Sequence, residues 1–279
     1  MLNRHVYALA RQIIRQLRAY GPAGRNIEVF NDDIYIVSYP KSGNTWVRFM
    51  LGNLYSQADA VTFSNLEQRV PDIYQNSSRT LSKLPRPRIL KSHEYLDPRY
   101  RKVIYIVRDP RDVAVSYYHF LIKMRVIADD YPLADYIDRF IGGELDPFGS
   151  WHDHAGGWIG ARQGRGDFLL LRYEEMLDNP VRELRKVTEF IGHPVTGAQV
   201  EAAVAMSSFE RMRTMEQQEG SQWATIKSGR TDKPFIRKGQ KGAWRTELPI
   251  EAIDRIESAW SGLMLDLGYA INKKQGRTP

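Results

Sequence analysis

Short apolar runs and helix-spaced apolar positions alternate along the chain. DIYIVSY (33–39), PRILKSH (87–93), KVIYIVR (102–108) and DFLLLRY (167–173) are β-rich runs. Strands apolar on both sides, alternating with helices, predict a parallel sheet covered on both faces. The first run passes through a turn into helical spacing at Val47, Met50, Leu51 and Leu54, which predicts a helix from Asn44 to about Ser56. The third leads to Pro110, a helix-start residue, with Val113, Val115 and Tyr117 behind it. Asp178-Asn179-Pro180 opens a helix that closes at Gly192. Further helices are predicted over 196–206, from near Ser208, and from about Pro249 to Leu265.

Residues 1–20 place Val6, Leu9, Ile13, Leu17 and Tyr20 at helical spacing, with Arg4, Arg11, Arg15 and Arg18 on other faces. Such a basic amphipathic helix packs its apolar stripe on the domain, as most surface helices do, or makes peripheral contact with a membrane. Two stretches show no regular period. Residues 57–87 hold prolines, serines and scattered aromatics, and residues 218–243 are rich in glycine, lysine and arginine. Irregular segments of this length are usually lids or binding loops. Nothing interrupts the rest, so residues 1–279 are expected to form a single α/β domain, a central parallel sheet flanked by helices.

Composition narrows the chemistry. The chain has 279 residues, 42% hydrophobic and 26% charged, and no cysteine. Thiolate chemistry, disulfides and cysteine-bound zinc are therefore excluded. No run reaches the roughly 20 apolar residues of a membrane span, and the expected location is cytoplasmic. The net charge of +7 directs attention to anionic partners.

Three basic stations and one histidine carry the candidate chemistry. In YPKSGNTW (39–46), a strand ends in a glycine turn and a helix begins. Free backbone N–H groups and the helix dipole there favour an anion. Lys41, Ser42, Asn44 and Thr45 add donors, Gly43 admits close approach, and Trp46 offers a ring to stack on a purine. The order differs from a nucleotide-triphosphatase loop, in which the lysine follows the last glycine. A plain strand–helix turn explains this stretch equally well.

The second station, RDPRDVAVSYYHF (108–120), puts Arg108 at a strand's carboxyl end and Ser116 about two helical turns on. Ligands of open α/β sheets bind at those ends. Alternatively, Arg108 simply pairs with Asp109 or Asp112. The third, RKGQKGAWR (237–245), offers Arg237, Lys238 and Gly239, or else is a solvated basic loop. His93, beside Lys91 in KSH (91–93), follows a strand. A histidine with its ordinary pKa of about 6.5 suits proton transfer at neutral pH.

Taken in order, these motifs resemble those of the cytosolic sulfotransferases, which use 3′-phosphoadenosine 5′-phosphosulfate (PAPS). YPKSGNTW is similar to that family's YPKSGTTW, RDPRDVAVSYYHF to RNPKDVAVSYYHF, RKGQKGAWR to RKGxxGxWK, and KSH to its catalytic K-T-H. RYEEM (172–176) and SSFERM (207–212) are smaller matches. The resemblance implies a P-loop-kinase-like sulfotransferase fold and sulfuryl transfer from PAPS to a hydroxyl or amine, with adenosine 3′,5′-bisphosphate (PAP) as product.

In that scheme Lys41 and Lys91 serve the transferring group and His93 takes the acceptor proton. Residues 41–46, Arg108, Ser116, Tyr173, Ser207, Phe209, Met212 and Arg237–Gly239 hold the donor. His154, from the HxH of SWHDHAGGW, and Phe120 are implied at the acceptor site, and no metal is expected. The acceptor is expected to be a small molecule, with Tyr74, Phe120, Tyr131, Phe148 and Trp223 as candidate aromatic lining, and no nucleic acid is expected. Three departures stand out. Asn44 replaces threonine, its amide still able to donate to phosphate. Asp109 replaces asparagine, bringing negative charge toward the nucleotide. The family's dimer motif is not recognisable in WRTELPIEAID (244–254), which leaves the oligomeric state open. Two rivals remain at this stage. A nucleotide kinase needs Gly-Lys-Ser/Thr order and a magnesium-binding aspartate, and a polyanion-binding protein needs cations spread over a face.

Overall fold

The computed structural model describes residues 26–56 and 59–272. The helix expected over 1–20 lies outside these residues. Four strands, β1 (Ile34–Ser38), β2 (Ile89–Ser92), β3 (Lys102–Val107) and β4 (Phe168–Arg172), form one parallel sheet in the order β2-β1-β3-β4. Ile36 pairs with Lys91 on one side and with Ile104 on the other. Each strand falls within the run that predicts it, shorter by one or two residues at its ends.

The longer helices are α1 (Asn44–Tyr55), α2 (Pro110–Lys123), α3 (Leu133–Ile141), α4 (Trp151–Arg162), α5 (Pro180–Ile191), α6 (Gly197–Met206), α7 (Phe209–Glu219) and α8 (Ile250–Asp266). Side chains alternate across a strand, and both faces here are covered. Tyr35 and Val37 of β1, with Val103, Tyr105 and Val107 of β3, pack against α2, α3, α4 and α8. Ile34, Ile36, Ile104 and Ile106 face α1, α5 and α6. That two-sided burial is why the strands read as continuous apolar runs.

Local signals placed the helix ends. The Asp109 side chain accepts the Arg111 N–H with Pro110 at the first turn of α2, and Asn179 caps α5 by accepting from Arg182. Gly192 ends α5 at φ 81°, the left-handed conformation that glycine adopts without penalty. Helices α3 and α4 have no counterpart among the predicted elements. Trp151, Ala155 and Trp158 of α4 are buried, while its exposed face mixes His152 and Asp153 with Gly160 and Ala161, so no continuous polar stripe marks this helix.

The irregular segments hold only short helical turns, Leu66–Arg69, Ser78–Leu81 and Gly220–Gln222. They meet each other: Phe63 packs 4.9 Å from Trp223, beside Phe49 and Met212, in a third apolar cluster. Among the described residues no helix is long and apolar enough to cross a membrane.

Candidate active site

β1 and β3 are neighbours, and the helices that follow them, α1 and α2, cover opposite faces of the sheet. At such a switch point a crevice opens outside the carboxyl ends of the strands. Lys41 follows β1, His93 follows β2 and Arg108 follows β3. All three line one cavity of about 390 Å³.

The turn after β1 is tightly constrained. Gly43 has φ 102°, and a Cβ there would come within 2.6 Å of the Tyr173 ring. Lys41 is itself left-handed, at φ 66°. Its ammonium lies 3.7 Å from the Phe235 ring centroid and 4.4 Å from that of Phe120. Burial first, then the Arg108 charge, pulls the Lys41 pKa down to about 7. The lysine is thus poised to gain an anion as its partner.

Arg108 forms no ion pair among the described residues. It donates to the Lys41 carbonyl at 3.1 Å and to the Gln240 carbonyl at 3.2 Å, and its guanidinium lies over the Tyr173 ring. Its buried Nε has no partner, nor has the buried Ser42 hydroxyl. Asp109 and Asp112 are engaged elsewhere: Asp109 with Arg111, and Asp112 with the Gly242 and Trp244 N–H groups. The expected Asp109 charge near the nucleotide is therefore corrected, because Arg111 and the helix cap neutralise it.

His93 sits across the cavity. Its Nδ1 lies 2.7 Å from the Ser38 carbonyl oxygen. A carbonyl can only accept, so Nδ1 carries the proton and Nε2 keeps its lone pair. Burial, then the Lys91 charge, holds its pKa well below the ordinary value, so the ring is neutral throughout the neutral range. The expectation of an unshifted histidine is corrected accordingly. Its backbone N–H donates to the Tyr74 hydroxyl at 3.0 Å, and Lys91 reaches Asp72 at 2.8 Å.

The other expected residues divide. Thr45, Trp46, Ser116, Phe120, Tyr173 and Phe209 line the cavity, as do Met212 and Arg237–Gly239. Trp46 meets Tyr173 edge-on at 6.1 Å and donates its indole N–H to the Ser207 carbonyl. Gly239, at φ 58°, lies so close under Phe209 that a Cβ would overlap the ring. Asn44 lines the cavity too, but its NH₂ turns back to the Ile36 carbonyl and the Ser38 hydroxyl, so that amide is not free to donate to phosphate. Ser42 and Ser207 are buried outside the lining, Ser207 bonded to Asn53.

His154 is buried behind the cavity rather than lining it. It donates from Nε2 to the His93 carbonyl and accepts from the Tyr105 hydroxyl at Nδ1. Of the other aromatics expected around an acceptor, Tyr74, Phe148 and Trp223 are present and Tyr131 is not. Among the described residues no cluster of three or more histidine or carboxylate side chains is arranged to hold a metal.

Sequence patterns did not point to Asp72, Phe235 or Glu247. The Glu247 carboxylate takes Arg237 at 2.8 Å, Lys238 at 2.7 Å and His119 at 3.1 Å, which holds its pKa at about 2. Phe235 lies two residues before Arg237, the one adjacency that could have drawn notice.

Known proteins share this fold. The family model for the sulfotransferase domain matches residues 31–268. The chain belongs to the PAPS-dependent sulfotransferase family. Sulfotransferase 1A1 of Rattus norvegicus is 30% identical over 264 residues, covering 88% of this chain and 89% of the rat protein. Sulfotransferase 1A1 of Bos taurus is 32% identical, covering 88% of each. A mouse sulfotransferase solved in complex with PAP superposes with a TM-score of 0.70 at 26% identity over 87% of each chain. A retinol dehydratase, at 18% identity and TM-score 0.75 over 95% of this chain and 88% of that one, shares the fold. This sulfotransferase is therefore a transferase with the parallel-sheet fold expected from its motifs, and the nucleotide-kinase reading falls away.

Proposed function

We propose that this sulfotransferase moves a sulfuryl group from PAPS to a hydroxyl or amine of a small acceptor, with His93 as general base. One observation carries the reading: a neutral His93 with its Nε2 lone pair free lines the same cavity as Lys41 and Arg108. PAPS supplies the sulfuryl group and leaves as PAP. The residues present fit such an anion. Arg108 Nε is a buried donor without a partner, and the Lys41 ammonium faces aromatic rings with no carboxylate bonded to it among the described residues.

In this reading Arg108, Ser116 and Arg237–Gly239 hold the 3′-phosphate, and Thr45 with the backbone past Gly43 holds the 5′-phosphate. Arg237 and Lys238 exchange Glu247 for the phosphate as the donor seats. Trp46 and Phe209 flank the adenine, with Tyr173 and Met212 at its edges. Lys41 meets the charge that develops on the leaving oxygen. At about 4 Å and an effective dielectric near 20, such a pair is worth roughly 4 kcal/mol before desolvation.

Tyr74, Phe120, Phe148 and Trp223 give the remaining wall an aromatic character, which supports a phenolic, alcoholic or alicyclic acceptor. The cations converge on strand ends rather than spreading over a face, which supports a small anion over nucleic acid.

His93→Ala tests the base. PAP should still bind within threefold by calorimetry, while transfer of radiolabelled sulfuryl to 2-naphthol falls by about 10²-fold or more, the usual weight of a positioned base. Near-normal turnover would sink the assignment.

A further inference from the structure

Beside the histidine lies a buried ion pair that none of the sequence motifs contains. Asp72 is 2% exposed and Lys91 8% exposed, with Oδ2 and Nζ 2.8 Å apart. Both line the cavity. We propose that Asp72 is a positioning residue of the sulfuryl-transfer site, keeping the Lys91 ammonium charged and in place beside His93. The assignment rests on the sulfuryl-transfer reading of Lys91 given above.

The backbone fixes this contact independently of the side chains. Asp72 forms a parallel bridge with Lys91: Lys91 N–H donates to the Pro71 carbonyl at 2.9 Å, and Ile73 N–H to the Lys91 carbonyl at 3.2 Å. Residues 71–73 are thereby laid along the outer edge of β2. Asp72 Oδ1 accepts the Tyr74 N–H at 2.8 Å, and the Tyr74 hydroxyl accepts the His93 N–H. One short stretch thus holds both the Lys91 ammonium and the His93 backbone.

Arg48 and Lys91 face Glu67 and Asp72, with Arg48 bonded to Glu67 at 2.7 Å and Glu67 to the Asp72 N–H at 2.8 Å. Lys91 also faces the Tyr74 ring at 4.8 Å, and its own strand end carries neutral His93 and Glu94. Asp72 is the one carboxylate bonded to Lys91 among the described residues, and its other N–H donors have no partner there. Burial favours the neutral amine, and Asp72 is the strongest influence opposing it. Without that carboxylate the ammonium keeps a buried position beside the Arg48 charge and gives up its proton as pH rises. His93, held well below its ordinary value by burial and then the Lys91 charge, is already neutral where Lys91 gives up its proton.

The test is Asp72→Asn, which preserves shape and removes charge. With 2-naphthol as acceptor, the ratio of wild-type to variant kcat should be within threefold at pH 6 and exceed tenfold at pH 8.5. Lysine side-chain NMR, with the Lys91 signal assigned by its loss in Lys91→Gln, should show the Lys91 midpoint falling by at least one pH unit. A purely structural role gives a ratio that does not change with pH, and that result, or an unmoved Lys91 midpoint, overturns the proposal.

Lys91→Gln, which leaves Asp72's backbone bonds in place, should depress kcat at least tenfold at every pH. A Lys91→Gln enzyme within threefold of wild type overturns both the Asp72 role and the catalytic reading of Lys91, whatever becomes of Asp72→Asn. An impaired Lys91→Gln beside a pH-independent Asp72→Asn overturns the Asp72 role alone.

Discussion

Lys41 holds a positive charge between two aromatic rings, with Arg108 behind it and no carboxylate bonded to it among the described residues. With its pKa lowered to about 7, the free enzyme carries a mixture of charged and neutral Lys41 at physiological pH. An incoming anion favours the charged form, so binding must take up protons wherever the free lysine has lost its own. PAP affinity is therefore expected to fall as pH rises through about 7, by up to tenfold per unit. Calorimetry at pH 8 in buffers of different ionisation enthalpy should register close to one proton taken up. Lys41→Met should abolish both effects, and proton-neutral binding by the unmodified enzyme would remove Lys41 from the donor site. Lys41 itself was legible from its place before Gly43. Its altered basicity was not, because Phe120 and Phe235 are 115 residues apart in the chain and meet only on folding.

At the scale of the element, the strand–turn–helix units do two tasks at once. In the proposed donor site the turn into α1 presents backbone donors to the phosphate, and it packs against the Tyr173 ring. Gly43 is required for both, since φ 102° and a 2.6 Å approach to Tyr173 each exclude a Cβ. Gly43→Ala should lose about 1–3 kcal/mol of stability, the cost of a strained backbone position, and raise the donor KM more than the acceptor KM. Urea denaturation and steady-state kinetics check this; an alanine variant with an unchanged midpoint contradicts it. These units were readable because strand, turn and cap are local in sequence. Helix α4 was not, since its exposed face carries Gly160 and Ala161 beside His152 and Asp153, and so small a set of polar residues shows no clear amphipathic stripe.

Across the whole molecule, the donor-site helix α2 is tied to the C-terminal helix α8 by one buried guanidinium. Arg111 is 2% exposed, bonds Asp109 at 2.7 Å and reaches Glu257, 146 residues away, at 2.5 Å. Glu257 also accepts the Asn272 N–H at 2.7 Å, fastening the end of the described chain. Glu257→Gln leaves Arg111 bonded to Asp109, so what is lost is one buried charge-assisted bond, about 1.5–3 kcal/mol. Glu257→Gln should lower the thermal midpoint by roughly 3–5 °C for a chain of this size, with kcat largely kept below the transition. A midpoint within a degree or two of wild type would show that the tie carries no stability.

The amino-acid sequence alone determined the parallel sheet, its strand–helix units and the motifs that bring Lys41, His93 and Arg108 to the strand ends. Those features rest on periodicity, caps and turns, which act between residues close in the chain. Tertiary structure decided which charges are spent and which are left for a ligand. Asp109 goes to Arg111, Glu247 to Arg237 and Lys238, and Asp72 to Lys91, while Arg108 and Lys41 keep no carboxylate among the described residues. Tertiary structure also set His154 behind the cavity and turned the Asn44 amide away from it. The energy of a charge depends on what surrounds it in space, and no local pattern encodes those surroundings.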